Sequence, residues 1–141
     1  MFLIDTNVVS ELRKIASGRA DPRVAAWDAA TPADVTYLSA ISLLELEIGV
    51  ARMEQRDARQ GARLRRWLDE RVVPSFQNRI LGVDRDVIRR CAQLHVPAPR
   101  PEYDALLAAT ALSNGLTVVT RNTADFAPMG VALLNPWEPT A

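Results

Sequence analysis

The stretch MFLIDTNVVSEL, residues 1–12, runs three apolar side chains into an acid and then begins a helix. Phe2–Ile4 reads as a short buried strand and Thr6–Lys14 as the helix after it, capped by Thr6 or Asn7. The same alternation continues outward from this unit. Val35–Ser39 alternates and is β-branched or aromatic, which predicts a second strand. Arg79–Val83 and Thr117–Thr120 predict two more, and Val131–Leu134 an edge strand. Helices are expected between them. One starts at Asp21–Pro22, a cap followed by proline. AISLLELEIGVARME, residues 40–54, carries apolar residues at 41, 44, 48 and 51, a helical spacing. Asp57–Val72 is a further helix, interrupted only by Gly61, and Asp84–Leu94 another. After the stiff connector VPAPRP, Glu102–Asn114 forms a helix that stops at Gly115.

Strands alternating with helices predict an α/β fold, a parallel sheet covered by helices on both faces. In such sheets ligands bind beyond the carboxyl ends of the strands, near the point where strand order reverses. Asp5 stands at such an end. At 141 residues the chain is expected to be one domain, 1–141.

Composition narrows the chemistry. The 48% hydrophobic content supplies a core without staples, and the lone Cys91 excludes an internal disulfide or paired-cysteine zinc site. Cys91 is expected to be a buried apolar side chain. No secretory leader and no run long enough to span a membrane are seen, so a cytoplasmic location is expected. Formal net charge is zero, so a nucleic acid would need a local basic patch. Of the 17 basic residues only Lys14 is lysine, which removes mechanisms needing a lysine farther along.

Four acids fall near strand ends or on the helices that follow: Asp5, Glu45, Asp104 and Asp125. Each has a plain alternative. Asp5 could be a helix cap, Asp104 could complement a helix dipole, and Asp125 could cap a turn. Glu45 is harder to dismiss, being flanked by Leu43, Leu44, Leu46 and Ile48; Glu47 is the better candidate for solvent. If all four converge at about 5 Å, six repulsive pairs of roughly 3 kcal/mol each arise at an effective dielectric of ~20. A total on the order of 20 kcal/mol exceeds a domain's whole stability, so such a pocket must take up protons or hold cations. All-oxygen ligation suits magnesium or manganese, and a hard ion so held serves phosphoryl chemistry.

These residues carry a resemblance. LIDTNVVSEL, LSAISLLELEIGV, YDALLAATALSNGLTVVTRNTADF and the terminal LLNPW, in that order, resemble a PIN-domain ribonuclease toxin of the VapC family, with a FitB-like tail. The resemblance covers nearly the whole chain. It implies a three-layer α/β/α domain with a central parallel sheet of four to five strands, and metal-dependent cleavage of RNA. By position, Asp5 and Asp104 match the family's principal metal ligands, and Glu45 the acid of its acid–leucine pair. Asp125 matches the fourth acid, Thr120 and Asn122 the polar residues before it, and Thr6 and Asn7 lie beside the first. Mg2+ or Mn2+ is the implied cofactor. A homodimer and a VapB-like antitoxin, through which alone DNA would be bound, are the implied partners. Alternatives within and beyond the family are a PIN nuclease of RNA processing and a silent interaction module. A haloacid-dehalogenase-type phosphatase would need an acid where Asn7 stands and a downstream lysine; a receiver domain fails on the same lysine.

The small residues Ala105, Ala108, Ala109 and Ala111 would let their helix lie close to the sheet, although alanine is also simply the best helix former. Arg52, Arg56, Arg59, Arg63 and Arg66 recur at helical spacing. They read either as a solvated face or, through Arg56, Arg59 and Arg63, as a track for RNA phosphates. His95, isolated among prolines, is expected to be structural. An antitoxin arginine entering between Asp5 and Asp104 would compete with metal, and its apolar flank would pack on the helices spanning Ile41–Val72.

Overall fold

Along β1 (Phe2–Ile4) the side chains alternate, Leu3 entering one core and Phe2 and Ile4 another. This computed structural model describes residues 1–139, and the alternation repeats in every other strand. Tyr37 and Leu38 part in β2 (Thr36–Ser39), and Leu81 and Ile80 in β3 (Ile80–Leu81). Val118 and Val119 part in β4 (Thr117–Val119), and Leu133 and Leu134 in β5 (Leu133–Leu134). A sheet apolar on both sides must be covered on both. One face carries α1 (Thr6–Leu12), α2 (Pro22–Ala30), α3 (Ala40–Arg56) and α4 (Ala58–Trp67), with Val8, Val24, Leu46 and Val50 buried. A π-type turn (Leu68–Val72) and the short α5 (Val73–Ser75) prolong α4. The other face carries α6 (Arg85–Leu94), α7 (Glu102–Asn114) and α8 (Thr123–Phe126), which bury Val87, Cys91, Ala108 and Phe126. The result is the three-layer α/β/α arrangement.

All strand pairs are parallel and the order is β3-β2-β1-β4-β5. The chain steps from β1 outward through β2 to β3, then crosses back to lay β4 on the opposite side of β1. The reversal therefore falls between β1 and β4, and the crevice it opens lies beyond Ile4 and Val119. Asp5 extends this pairing, its backbone N–H donating to the Val119 carbonyl at 3.0 Å. α7 ends as expected at Gly115, whose φ of 65° is left-handed. No helix among the described residues is long and apolar enough to cross a membrane.

Several local expectations are corrected. The cap of α1 is Asp5 itself, not Thr6 or Asn7, and the helix ends at Leu12. On α3 the line buried against the sheet is Ser42, Leu46 and Val50. Leu44, two positions and ~200° round the helix from Ser42, is 43% exposed. The helix after Asp57 runs past Val72 to Ser75. Pro74 has no N–H to donate and its ring crowds the carbonyl four residues back. The wider turn ahead of it, in which Val73 N–H donates to the Leu68 carbonyl, makes room.

The arginine spacing does not describe one face. Asp57 is extended at φ −151°, ending α3 and capping α4 through the N–H groups of Arg59 and Gln60. Arg56 thus closes one helix while Arg59 and Arg63 belong to the next, so the three do not share one helix face. The cation that organises this region is Arg65, which reaches Glu47 at 2.8 Å, Glu54 at 3.2 Å and Asp69 at 3.6 Å. Glu47 is accordingly a tie between α3 and α4 rather than a free surface charge.

Gly61 does not interrupt α4; it is where the two helices touch. A Cβ there would lie 2.4 Å from the Glu54 Cα, so backbone would have to move. Gly61→Ala should lower unfolding free energy by about 1–3 kcal/mol through overpacking, despite alanine's better helix propensity. Gly49, inside α3 with nothing within 4 Å of its added Cβ, should respond oppositely. Gly49→Ala is expected to gain up to ~1 kcal/mol. Denaturant unfolding of the two variants measures both signs.

Candidate active site

At the β1–β4 reversal the Asp5 side chain is 6% exposed. A buried carboxylate needs donors, and three side-chain and backbone groups supply them. One oxygen accepts from the Thr6 backbone N–H at 2.7 Å. The other accepts from the Thr120 hydroxyl at 2.8 Å and from the Asn7 amide at 3.4 Å. Thr120, one residue beyond β4, is itself fully buried and accepts from Asn7 Nδ2 at 3.3 Å and the Asn122 N–H at 3.0 Å. Its own N–H donates to Leu134 in β5. Thr120 and Asn7 are therefore held directly against Asp5, whereas Asn122 contributes through its backbone.

Thr6 carries the network onward. Its hydroxyl donates to Glu45 Oε1 at 3.2 Å, bringing in the acid from α3. Asp104 comes from the first turn of α7, half-buried and without a side-chain hydrogen bond among the described residues. α7 can approach because Ala105, Ala108, Ala109 and Ala111 are completely buried against the sheet side, as their size suggested. Asp125 lies in the first turn of α8 and is exposed.

The carboxyls feel one another. Burial pushes Asp5 above the usual carboxylate range, opposed by the Thr120 and Thr6 hydrogen bonds. Glu45 is raised by burial, then by the charges of Asp5 and Asp104, against the Thr6 bond. Asp104 is raised by burial, then by Asp5 and Asp125. Asp5 thus lies near enough to act on both Glu45 and Asp104, while the exposed Asp125 acts on Asp104 alone.

The donor set fits a hard divalent ion held loosely. Carboxylate oxygens are the available ligands, and among the described residues no three acid, His or Cys groups close on one point. Magnesium tolerates this, because it keeps several waters and uses one or two carboxylates plus substrate phosphate. His95 is excluded from the constellation. Its Nδ1 accepts from the Arg100 N–H at 3.1 Å, tying the loop after α6. Two residues near the acids went unremarked in the sequence. The Arg121 guanidinium sits 5.1 Å above the Trp137 ring, and the Arg121 N–H donates to Asn7 Oδ1 at 3.3 Å. Both lie within segments already notable, TRN and LLNPW.

With this geometry in hand, comparison with known proteins defines the class. The PIN domain matches residues 2–130, and the chain belongs to that family. Along its length it is similar to the VapC ribonuclease Y4jK of Sinorhizobium fredii, at 38% identity over 99% of both chains. It is 37% identical to the toxin FitB of Neisseria gonorrhoeae, over 97% of this chain and 99% of FitB. Its fold superposes with a TM-score of 0.90 on the structure of FitAB bound to an IR36 DNA fragment, at 32% identity over 100% of this chain and 99% of that one.

The crowding has a measurable cost. A carboxyl raised on folding destabilises the fold above its raised pKa, and the penalty fades as pH falls and it protonates. Asp104 makes no side-chain bond that asparagine would lose. Asp104→Asn should therefore raise the melting temperature of chelator-treated protein near neutral pH, and the gain should shrink as pH drops toward ~4. Thermal melts of both proteins across pH test this; a pH-independent gain would contradict it.

Proposed function

We propose that residues 1–141 act as one metal-dependent endoribonuclease domain, the cytoplasmic toxin of a toxin–antitoxin pair. The observation that carries this is the buried Asp5 network at the β1–β4 reversal, which ties in Glu45 through Thr6, and the ribonuclease and toxin relatives support it. Asp5 and Asp104 would hold Mg2+ or Mn2+, with Glu45 and Asp125 completing the acidic shell. Bound there, the ion supplies positive charge against the attacked phosphate and lowers the pKa of water.

The chain's own groups do the rest. Thr120 and Thr6 fix the Asp5 oxygens, so the carboxylate cannot rotate away. Thr6 donates to Glu45 Oε1, and Oε2 has no hydrogen-bond partner among the described residues. A carboxylate whose pKa burial and neighbours have raised is suited to accept a proton from the attacking water at that oxygen. Asp5→Asn or Asp104→Asn should reduce RNA cleavage by more than the ~10–100-fold that loss of a ligand-supporting group costs. Chelator should stop cleavage and added magnesium or manganese restore it. Full activity in either folded variant would sink the assignment.

A ribonuclease of this kind needs restraint, and the acid pocket suggests how. A guanidinium matches carboxylates in a bidentate fork, so an antitoxin arginine entering between Asp5 and Asp104 would exclude metal and RNA together. The antitoxin's apolar flank has a better seat than the whole Ile41–Val72 pair. A groove of about 980 Å³ between α1, α2 and the α4–α5 stretch is lined by Leu12, Ile15, Trp67, Val72 and Phe76. FitB is seen with FitA on DNA, and here too DNA would be reached only through the antitoxin, with the toxin as a homodimer. Co-expression of a neighbouring short protein with a basic, amphipathic C-terminal segment should abolish growth inhibition, and deleting that segment should restore it. A lone chain that is active yet harmless would refute the toxin role.

A further inference from the structure

We propose that Arg121, stacked on Trp137, holds a phosphate of the RNA strand beside the acid pocket and sets where the strand lies. The inference rests on the nuclease function proposed above. The acids around Asp5 attract cations but repel a polyanion, so an RNA strand needs a cationic foothold at their edge. Arg121 is placed for this. It follows Thr120 directly, and its N–H is bonded to Asn7, whose amide also reaches Asp5 and Thr120. The arginine is thus tied by two hydrogen bonds to the central carboxylate.

Its side chain is held but not neutralised. The guanidinium lies over the Trp137 ring, a contact that fixes its plane while leaving its N–H groups to donate. Trp137 is itself anchored, partly buried against the core cluster that holds Ile4 and Val119. The Trp137 carbonyl also accepts from Arg23 at 3.3 Å, so two guanidinium groups meet on one residue. Among the described residues neither has a carboxylate within 4 Å, whereas Lys14, Arg65 and Arg90 do. Two like charges gathered on one aromatic residue are completed by an anion. A planar fork favours phosphate, which it meets with paired hydrogen bonds.

The test uses Asp104→Asn protein, which binds without cutting, and a fluorescein-labelled single-stranded RNA followed by anisotropy across salt concentration. Adding Arg121→Gln should weaken affinity about tenfold, the loss expected of one charge-assisted contact. It should also lower the salt slope by ~0.7. Arg121→Lys should keep the slope and recover only part of the affinity, because it keeps the charge without the fork. Arg90→Gln, on α6, should leave both unchanged. In otherwise native protein cutting total RNA, Arg121→Gln should raise KM more than it lowers kcat. An unchanged slope and affinity, or equal losses from Arg121→Gln and Arg90→Gln, would overturn the proposal while native protein still cuts RNA. Native protein that cuts no RNA with manganese would instead bring down the nuclease function, and this inference with it.

Discussion

Asp5 must satisfy two demands that oppose each other. It ends the central strand and caps α1, which buries it, yet its two oxygens must still find donors. Burial pushes its carboxyl above the usual range. Three donors from Thr6, Asn7 and Thr120 keep the charged form accessible, though not enough to return the carboxyl to its ordinary range. Thr120 can donate only because β4 lies next to β1, and β4 lies there only because the chain reverses direction across the sheet. Strand order and site chemistry are one constraint.

From that point the layers explain which acids arrive and how. Glu45 comes from the α3 layer and reaches the pocket through Thr6; Asp104 comes from the opposite α7 layer on a helix made thin by alanine. The two are held by different means. Glu45 has a hydrogen-bond tether, whereas Asp104 depends on helix position alone. A well-packed helix can hold a side chain in place against like charge because moving it would open a void in the core. The alanines that permit close approach therefore also resist retreat, holding Asp104 near Asp5.

Much of this was legible along the chain. Period-two apolar runs mark the strands; Asp5 falls at a strand end and Asp104 and Asp125 in first turns of helices, while Glu45 lies within α3. Strand order was not legible, because nothing local in Thr117–Thr120 states that it pairs with Phe2–Ile4 rather than with β3. Helix orientation was also obscured. α3 has apolar residues all round, so Leu44 at the surface and Leu46 in the core look alike in sequence. Pro74 appeared to lie outside a helix that in fact widens to include it. Arg121 and Trp137 were present in quoted motifs, but their contact joins a loop to the last segment and has no spacing signature.

The arginines show why spacing and partnership must be weighed separately. Net neutrality does not pair each guanidinium with an acid: among the described residues only Arg65 and Arg90 reach a carboxylate, and both do so within the helical scaffold. Arg65 is the clearest case, bridging two helices and the turn beyond through three acids. The sequence periodicity passed over it and selected instead Arg56, Arg59 and Arg63, which a helix break at Asp57 separates. Arg121 has no periodic companions at all. What distinguishes it is a fixed position beside Asn7 and the Asp5 network, combined with an aromatic support. A cation that the fold orients without satisfying still has its donors to offer, and the crevice beside it is where a phosphate chain would have to pass.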